Sequence, residues 1–330
     1  MRISVIGAGG WGTAFALLLA KEGHGTTLWA RDPQMAERLD RERVNSKYLP
    51  GVPLPRENLR VTASLSTALK SETIVLAVPS FAMAETLQAI TPFIEPGKVF
   101  INLAKGLDRT SKRTMSELIE EAFDLRAVFT LSGPSHAEEV GREIPTAVVL
   151  AGQDLTLGKE LQRAIASARF RIYLTEDIRG VELCATVKNI IALATGISDG
   201  LGYGDNSRGA LITRGLAEMV RFGRAFAVDE RTFFGLSGLG DLVTTCTSDH
   251  SRNRAVGVRI GGGEPLSEIL TGMTMVAEGV YATRIVHEMA EELGIEMPIT
   301  DVVFRILYEG ASPLPLVDEI MTREPKREGA

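Results

Sequence analysis

Three groupings of residues in this chain have types and spacings suited to chemistry. In the first, Gly7, Gly9 and Gly12 fall at the spacing G-x-G-x-x-G, directly after the apolar run Ile3–Ile6 and before the apolar stretch Thr13–Ala20. A strand, a tight turn and a helix start in that order make a seat for a pyrophosphate. Gly7 lets the chain turn sharply, Gly9 removes a Cβ so that phosphate can approach the backbone, and Gly12 lets the helix pack on the strand. The free N–H groups and positive dipole end of a helix beginning near Gly10 and Trp11 then face the phosphates. Dinucleotide binding is the expectation, the alternative being a glycine-rich turn in another βαβ protein.

The second grouping is the stretch Val181–Ile197, where Glu182 and Lys188 are the charged residues among Val181, Leu183, Val187, Ile190, Ile191, Leu193 and Ile197. A lysine desolvated in the middle of such a helix has its ammonium form disfavoured and its pKa lowered toward neutrality, which suits a general acid or base. From spacing alone, a lysine that snorkels outward or pairs with a structural carboxylate fits equally well. The third grouping runs from G-L-S-G-L-G-D (Gly235–Asp241) through Thr244-Thr245-Cys246 to S-R-N-R (Ser251–Arg254). Its glycines imply irregular backbone between helices, and guanidinium and amide donors match phosphate oxygens. A solvated turn has the same composition.

The elements that must position these groups alternate through the first half. A helix from Trp11 to Lys21 is followed by a strand Thr26–Trp29, a helix from Pro33 to about Arg43, a proline-punctuated loop Asn45–Pro55 and a short strand Leu59–Ala63. The continuous apolar run Thr73–Val78 reads as a parallel strand covered on both faces. Further strands are expected at Val99–Leu103, Ala127–Leu131, Thr146–Ala151 and Phe170–Leu174, with helices Met83–Ile90, Lys112–Ala122 and Leu157–Ala168 among them. In dinucleotide folds the residue ending the second strand meets the adenosine ribose: an acid binds the 2′-hydroxyl of NAD, and an arginine can hold the 2′-phosphate of NADP. Here Arg31 ends the strand with Asp32 beside it, so NADP is favoured as at least an accepted cofactor, against the reading of Arg31 as a surface charge. Lys105, just past a parallel strand's carboxyl end, lies where open α/β sheets bind ligands. Small residues after another strand end, Ser132–Ala137, again suggest close backbone approach to a ligand. From about Asp177 onward the pattern is helical, at Val181–Ile197, Ala210–Val228, Val276–Leu293 and Ile299–Tyr308, and the polar end Arg323–Ala330 is expected to fray.

With 330 residues, 45% hydrophobic and 24% charged, the chain is expected to be a soluble protein of two ordinary domains. A net charge of −6 argues against nucleic acid or any general polyanion as partner, so phosphate recognition must be local. Cys184 and Cys246 lack disulfide-framework or metal-site spacing, and His24, His136, His250 and His287 form no zinc motif, so no metal is expected. No stretch reads as the ~20 apolar residues of a membrane span, the chain enters a strand at once without room for a signal peptide, and a cytoplasmic location is expected.

Seven segments occur together and in order: G-A-G-G-W-G-T-A (Gly7–Ala14), N-L-A-K-G-L (Asn102–Leu107), S-G-P-S-H-A-E-E (Ser132–Glu139), V-K-N-I-I-A (Val187–Ala192), G-L-S-G-L-G-D-L (Gly235–Leu242), S-R-N-R (Ser251–Arg254) and Glu278-Gly279. In this combination the chain resembles the bacterial NAD(P)-dependent glycerol-3-phosphate dehydrogenases over nearly its whole length. It departs from the family pattern at His136, where the family usually has Phe. The resemblance implies reversible reduction of dihydroxyacetone phosphate to sn-glycerol 3-phosphate with NADP(H) or NAD(H), feeding phospholipid synthesis. It further implies that Lys188 is the proton donor and acceptor, that Lys105 contacts cofactor and substrate and helps depress the pKa of Lys188, and that Asp241 orients substrate and lysine. Gly133, Ser135, Ser251, Arg252 and Asn253 would bind substrate together with Lys105, Lys188 and Asp241. Gly10, Trp11, Arg31, Ala137, Arg252, Val276 and Glu278 would line the cofactor site with Gly7, Gly9, Gly12 and Lys105.

The expected architecture is α/β: an N-terminal Rossmann-type, mostly parallel sheet domain (1–177), then an all-helical C-terminal domain (178–330) for substrate binding and catalysis. The expected partners are a small phosphorylated three-carbon substrate and a second copy of the chain in a homodimer, without stable membrane insertion. Two other readings stay open at this point, another NAD(P)-dependent two-domain hydroxy-acid dehydrogenase and a non-catalytic dinucleotide sensor.

Overall fold

The fold is seen in a computed structural model that describes residues 1–273, 277–322 and 324. Val276, expected at the cofactor, lies outside the described residues, as does the polar end Arg323–Ala330 apart from Glu324. The contact pattern divides the chain into two compact units, one of Met1–Thr186 with Phe226–Asp241, the other of Val187–Ala225 with Leu242–Ala330.

In the first unit eight strands form one sheet: β1 (Arg2–Ile6), β2 (Gly25–Trp29), β5 (Leu59–Thr62), β6 (Thr73–Leu76), β7 (Lys98–Asn102), β8 (Leu125–Ser132), β9 (Thr146–Ala151) and β10 (Phe170–Thr175). Their order is β10-β9-β8-β7-β6-β1-β2-β5, parallel throughout except for the antiparallel β8/β9 pair. Side chains of adjacent residues point to opposite faces, and both faces are covered. Thus Ile3, Val5, Val75, Val99 and Ile101 pack on one face beside Leu17 and Leu28, while Ile6, Ile74, Leu76 and Phe100 pack on the other beside Met115 and Ile119. The polar member of β1, Ser4, is accommodated by donating to Ala68 O and to Ser71 Oγ.

Strand order reverses at β1, which lies between β2 and β6. Parallel register brings carboxyl ends level there: Ile6 stands opposite Trp29 and Leu76, Leu76 opposite Asn102, and Asn102 opposite Thr130. The segments that follow β1, β7 and β8 carry Gly7, Lys105 and Gly133, so these candidate residues leave the sheet along one edge. The expected loop Asn45–Pro55 differs in being partly a hairpin, β3 (Val44–Asn45) with β4 (Leu49–Pro53). Gly51 at φ +75° supplies a backbone conformation that the prolines around it do not signal.

Helix Ile178–Gly200 begins in the first unit and continues into the second. It begins earlier and ends later than its apolar pattern predicts, and residues 180–198 are all buried. By length and composition this one helix among the described residues matches a bilayer span, where the sequence predicts none; its apolar window is wholly buried inside the protein. A helix apolar all round is the expected form of a core helix. In the second unit it crosses helix Arg252–Gly261 at glycines: a Cβ on Gly257 would stand 2.3 Å from Leu193 O, and one on Gly196 would stand 2.2 Å from Arg254 O. Side chains at this crossing would force the two backbones apart. The second unit also holds helices Asp205–Arg224, Glu278–Leu293 and Pro298–Tyr308.

Candidate active site

The glycine turn has the construction its spacing predicts. Gly7 adopts φ +115°, and a Cβ there would stand 2.6 Å from Ala77 O. A Cβ on Gly12 would stand 2.0 Å from Gly7 O, so helix Gly10–Lys21 rests directly on the turn. Gly9 is different, because nothing lies within 4 Å of where its Cβ would be. Two glycines are therefore required by packing, and the third leaves open space beside the backbone. The helix has Gly9 as its N-cap, no side-chain cap and no acidic residue in its first turn. Its leading N–H groups and its dipole are thus available to an anion, which fits a dinucleotide's pyrophosphate. Ala137 comes to the same place, its Cβ 3.6 Å from the position a Cβ on Gly10 would take, and Trp11 packs against the adjacent core. The turn also has a brace that sequence reading missed: Asn45 Nδ2 donates to Ala8 O at 3.0 Å and to Thr13 Oγ1 at 2.8 Å.

Arg31 is exposed two residues past β2, beside the turn, where Gly7 N donates to Trp29 O. Its neighbour Asp32 is engaged as the N-cap of helix Pro33–Glu42, accepting from Gln34 N at 3.0 Å. Of the two residues, Arg31 is the one not committed to local structure.

At the ends of β7 and β8 four more candidates meet. Lys105, 20% exposed at its side chain, donates to Asp241 Oδ2 at 2.8 Å and to Gly133 O at 3.1 Å. Gly133 adopts φ +140°, with its absent Cβ 3.0 Å from Val148 Cα, and Ser135 Oγ donates to the same Gly133 carbonyl at 2.8 Å. Asp241, almost fully buried, is delivered by a π-helical turn, Leu236–Gly240, which packs beside β9. The irregular backbone implied by G-L-S-G-L-G-D takes this form, and a Cβ on Gly238 would stand 2.1 Å from Phe233 O. His136, the departure from the family pattern, is half-buried at the N-cap of the short helix Ala137–Gly141.

In the second unit Lys188 is 4% exposed and donates to Thr245 Oγ1 at 2.6 Å. Burial eliminates the snorkelling alternative. Nothing in the sequence points to Thr245, since no local signal links it to a residue 57 positions away. Nearby in sequence, Ser251 is the N-cap of helix Arg252–Gly261, accepting from Arg254 N. Asn253 is buried and partly committed: its Nδ2 donates to Asn189 Oδ1 at 2.9 Å, and its Oδ1 accepts from Gly279 N at 2.9 Å. One N–H of that amide remains for a ligand. Arg252 at the start of the helix is exposed, and Arg254 is tied to Asp199 at 2.8 Å and to Asp249 at 3.0 Å. Glu278, half-buried, opens helix Glu278–Leu293 next to Gly279.

A mostly parallel sheet with a glycine turn at its switch point, followed by helices carrying a buried lysine, defines a dehydrogenase of the NAD(P)-dependent class. Comparison with known proteins narrows this. Family models described as NAD-dependent glycerol-3-phosphate dehydrogenase N-terminus and C-terminus match residues 2–158 and 177–318. A glycerol-3-phosphate dehydrogenase [NAD(P)+] from Chlorobium limicola is 46% identical, with 99% of each chain covered, and one from Desulfitobacterium hafniense is 43% identical, covering 99% of this chain and 93% of the other. The crystal structure of glycerol-3-phosphate dehydrogenase from Coxiella burnetii superposes with a TM-score of 0.94 at 41% identity, covering 98% and 99% of the two chains. The chain belongs to the NAD(P)-dependent glycerol-3-phosphate dehydrogenase family. A D-mandelate dehydrogenase, at 15% identity and a TM-score of 0.62, shares the fold alone.

Proposed function

We propose that this protein interconverts dihydroxyacetone phosphate and sn-glycerol 3-phosphate with NADP(H) or NAD(H), supplying glycerol 3-phosphate for phospholipid synthesis. Full-length identity above 40% to glycerol-3-phosphate dehydrogenases supports the reaction. The observation that carries the residue assignment is Lys188, buried in an apolar helix with its Nζ held on a threonine hydroxyl. When bound, the nicotinamide supplies or accepts the hydride.

The protein's part is alignment, charge and a proton. As the carbonyl is reduced, negative charge grows on its oxygen, and a preorganised ammonium offsets it. Lys188 gives that oxygen its proton in reduction and takes it back in oxidation. Lys105 is held at fixed geometry by Asp241 and the Gly133 carbonyl, and contacts both ligands as a positive charge. Arg252, the remaining amide N–H of Asn253 and the Ser251 hydroxyl take the substrate phosphate at the start of their helix, where donors and dipole favour an anion. Gly7, Gly9, Gly10, Trp11, Gly12 and Ala137 seat the dinucleotide, with Glu278 completing its lining. Arg31 meets a 2′-phosphate, Asp32 being occupied as a helix cap. The enzyme acts in the cytoplasm as a homodimer, with helix Ile178–Gly200 serving as core and not as a membrane anchor.

The decisive experiment follows absorbance at 340 nm with dihydroxyacetone phosphate and either NADPH or NADH. Oxidation of NADPH is expected. Tight cofactor binding with no turnover of either would overturn the assigned reaction in favour of a dinucleotide sensor.

A further inference from the structure

We propose that Glu182 is a positioning residue for this reaction, its carboxylate fixing, through Asn102, the turn that carries Lys105. The inference rests on the role proposed above for Lys105. Glu182 is 2% exposed on an otherwise apolar stretch of helix, and burying such a group is costly unless it is hydrogen-bonded. It accepts from Asn102 Nδ2 at 2.7 Å, Thr130 Oγ1 at 2.9 Å, Ser116 N at 3.1 Å and Ser116 Oγ at 2.5 Å. Burial raises its pKa, against the downward pull of donors from Ser116, Thr114 and Thr130.

Two of those donors lie at or near the ends of the strands that lead into the site. Asn102 ends β7, three residues before Lys105, and Thr130 lies on β8, three residues before Gly133, whose carbonyl Lys105 holds. The two donors stand opposite each other in register, so one carboxylate grips both strand ends. The link to Lys105 runs through the Asn102 amide. Because Glu182 presents acceptors, the amide must turn its NH2 toward it, and its Oδ1 is then aimed at Ala104 N, 2.8 Å away. Its Nδ2 also reaches Ala104 O at 3.2 Å. A flipped amide would set oxygen against oxygen and N–H against N–H. The carboxylate thus dictates the backbone from 102 to 104, from which Lys105 projects toward Asp241.

The test uses the full-length enzyme with dihydroxyacetone phosphate and NADPH, comparing Glu182→Gln, Asn102→Ala, Lys105→Ala and Glu182→Gln/Lys105→Ala. Cofactor affinity is read from the fluorescence of Trp11 and Trp29, and folding from thermal melts. Glutamine keeps the side chain's shape but puts a donor among donors. Glu182→Gln and Asn102→Ala should each lower kcat/KM by about 10- to 100-fold, the scale of a 1 Å misplacement, with cofactor affinity held to about twofold. Because Glu182 acts through Lys105, the double variant should be within about twofold of Lys105→Ala alone. Lowered melting temperatures with unchanged kcat/KM, or losses that multiply in the double variant, would overturn the inference while leaving Lys105 in place. Unimpaired turnover by Lys105→Ala would overturn both. Should Glu182→Gln not fold, Asn102→Ala combined with Lys105→Ala is read by the same criterion.

Discussion

The sheet unit and the helical unit each hold a lysine that the proposed function uses, and the two differ in depth and in the elements that position them. Lys105, in the sheet unit, sits between a buried carboxylate, Asp241, and a carbonyl oxygen, in a place that backbone geometry prescribes through Gly133 and the π-helical turn before Asp241. Lys188, in the helical unit, is more deeply buried and donates to a hydroxyl. A charge-assisted hydrogen bond to a carboxylate holds an ammonium in place. The Thr245 hydroxyl fixes the direction of the Lys188 amine in the middle of an apolar helix, as suits a group that must release and regain a proton each turnover. On the roles proposed above, one lysine supplies charge and the other a proton, and depth of burial, not residue type, separates them.

The largest effect that tests this contrast is expected from Lys188→Ala. Removing the proton carrier should lower kcat by ~10² to 10⁴-fold while NADPH binding, measured by fluorescence titration, survives. More than about a tenth of the wild-type turnover in that variant would remove Lys188 from proton transfer. Next in size, Arg252→Ala should raise the KM for dihydroxyacetone phosphate by about 10- to 100-fold, as expected for loss of charge-assisted bonds, with kcat changed far less. An unchanged KM would take the phosphate away from that helix. Thr245→Val sharpens the comparison itself, since it deletes the hydroxyl that orients Lys188 and keeps the volume. A fall of about tenfold in kcat with little change in KM is expected, on the scale of one lost hydrogen bond to a charged group. Smaller again, Arg31→Ala should reduce the preference for NADPH over NADH by about fivefold, the worth of an exposed ion pair, in parallel assays at 340 nm.

How much of this was legible in the sequence follows from how local each feature is. The glycine turn could be read because its three glycines, its strand and its helix lie within about twenty consecutive residues, and the spacing announces the turn even though the contact that excludes a Cβ at Gly7 comes from Ala77. The sheet strands could be read because fully covered parallel strands are continuously apolar. The partner of Lys105 could not, because Asp241 lies 136 positions away and arrives on a π-helical turn that no hydrophobic period announces. The same holds for the Asn45 brace, for the bond of Lys188 to Thr245, and for the crossing of Gly196 with Gly257, which in sequence look like ordinary polar or small residues. Glu182 was visible as a charge in an apolar helix, but its donors come from Asn102, Ser116 and Thr130, on three separate elements.

The smallest effect concerns stability, and it sets the helical unit's buried glutamate beside Glu182 of the sheet unit. Glu218 accepts from Ile299 N, from Thr300 N at 3.3 Å and from Thr300 Oγ1 at 3.2 Å, anchoring the first turn of helix Pro298–Tyr308. Burial outweighs these donors and the nearby Arg221 charge, and pushes its pKa from 4.5 up to about 7. Between those two pH values the folded protein holds a proton that the unfolded chain has released, so this group's contribution to stability is greatest below pH ~4.5 and falls as pH rises to ~7. The whole change is roughly 3 kcal/mol from that difference in pKa. Glu218→Gln resembles the protonated side chain in shape and neutrality and cannot titrate. The wild type should therefore lose several degrees of melting temperature relative to this variant between pH 5 and 8, most of it by about pH 7. A constant gap between the two melting temperatures across that range would mean that Glu218 does not change protonation there, and that its anchoring bonds outweigh the burial cost.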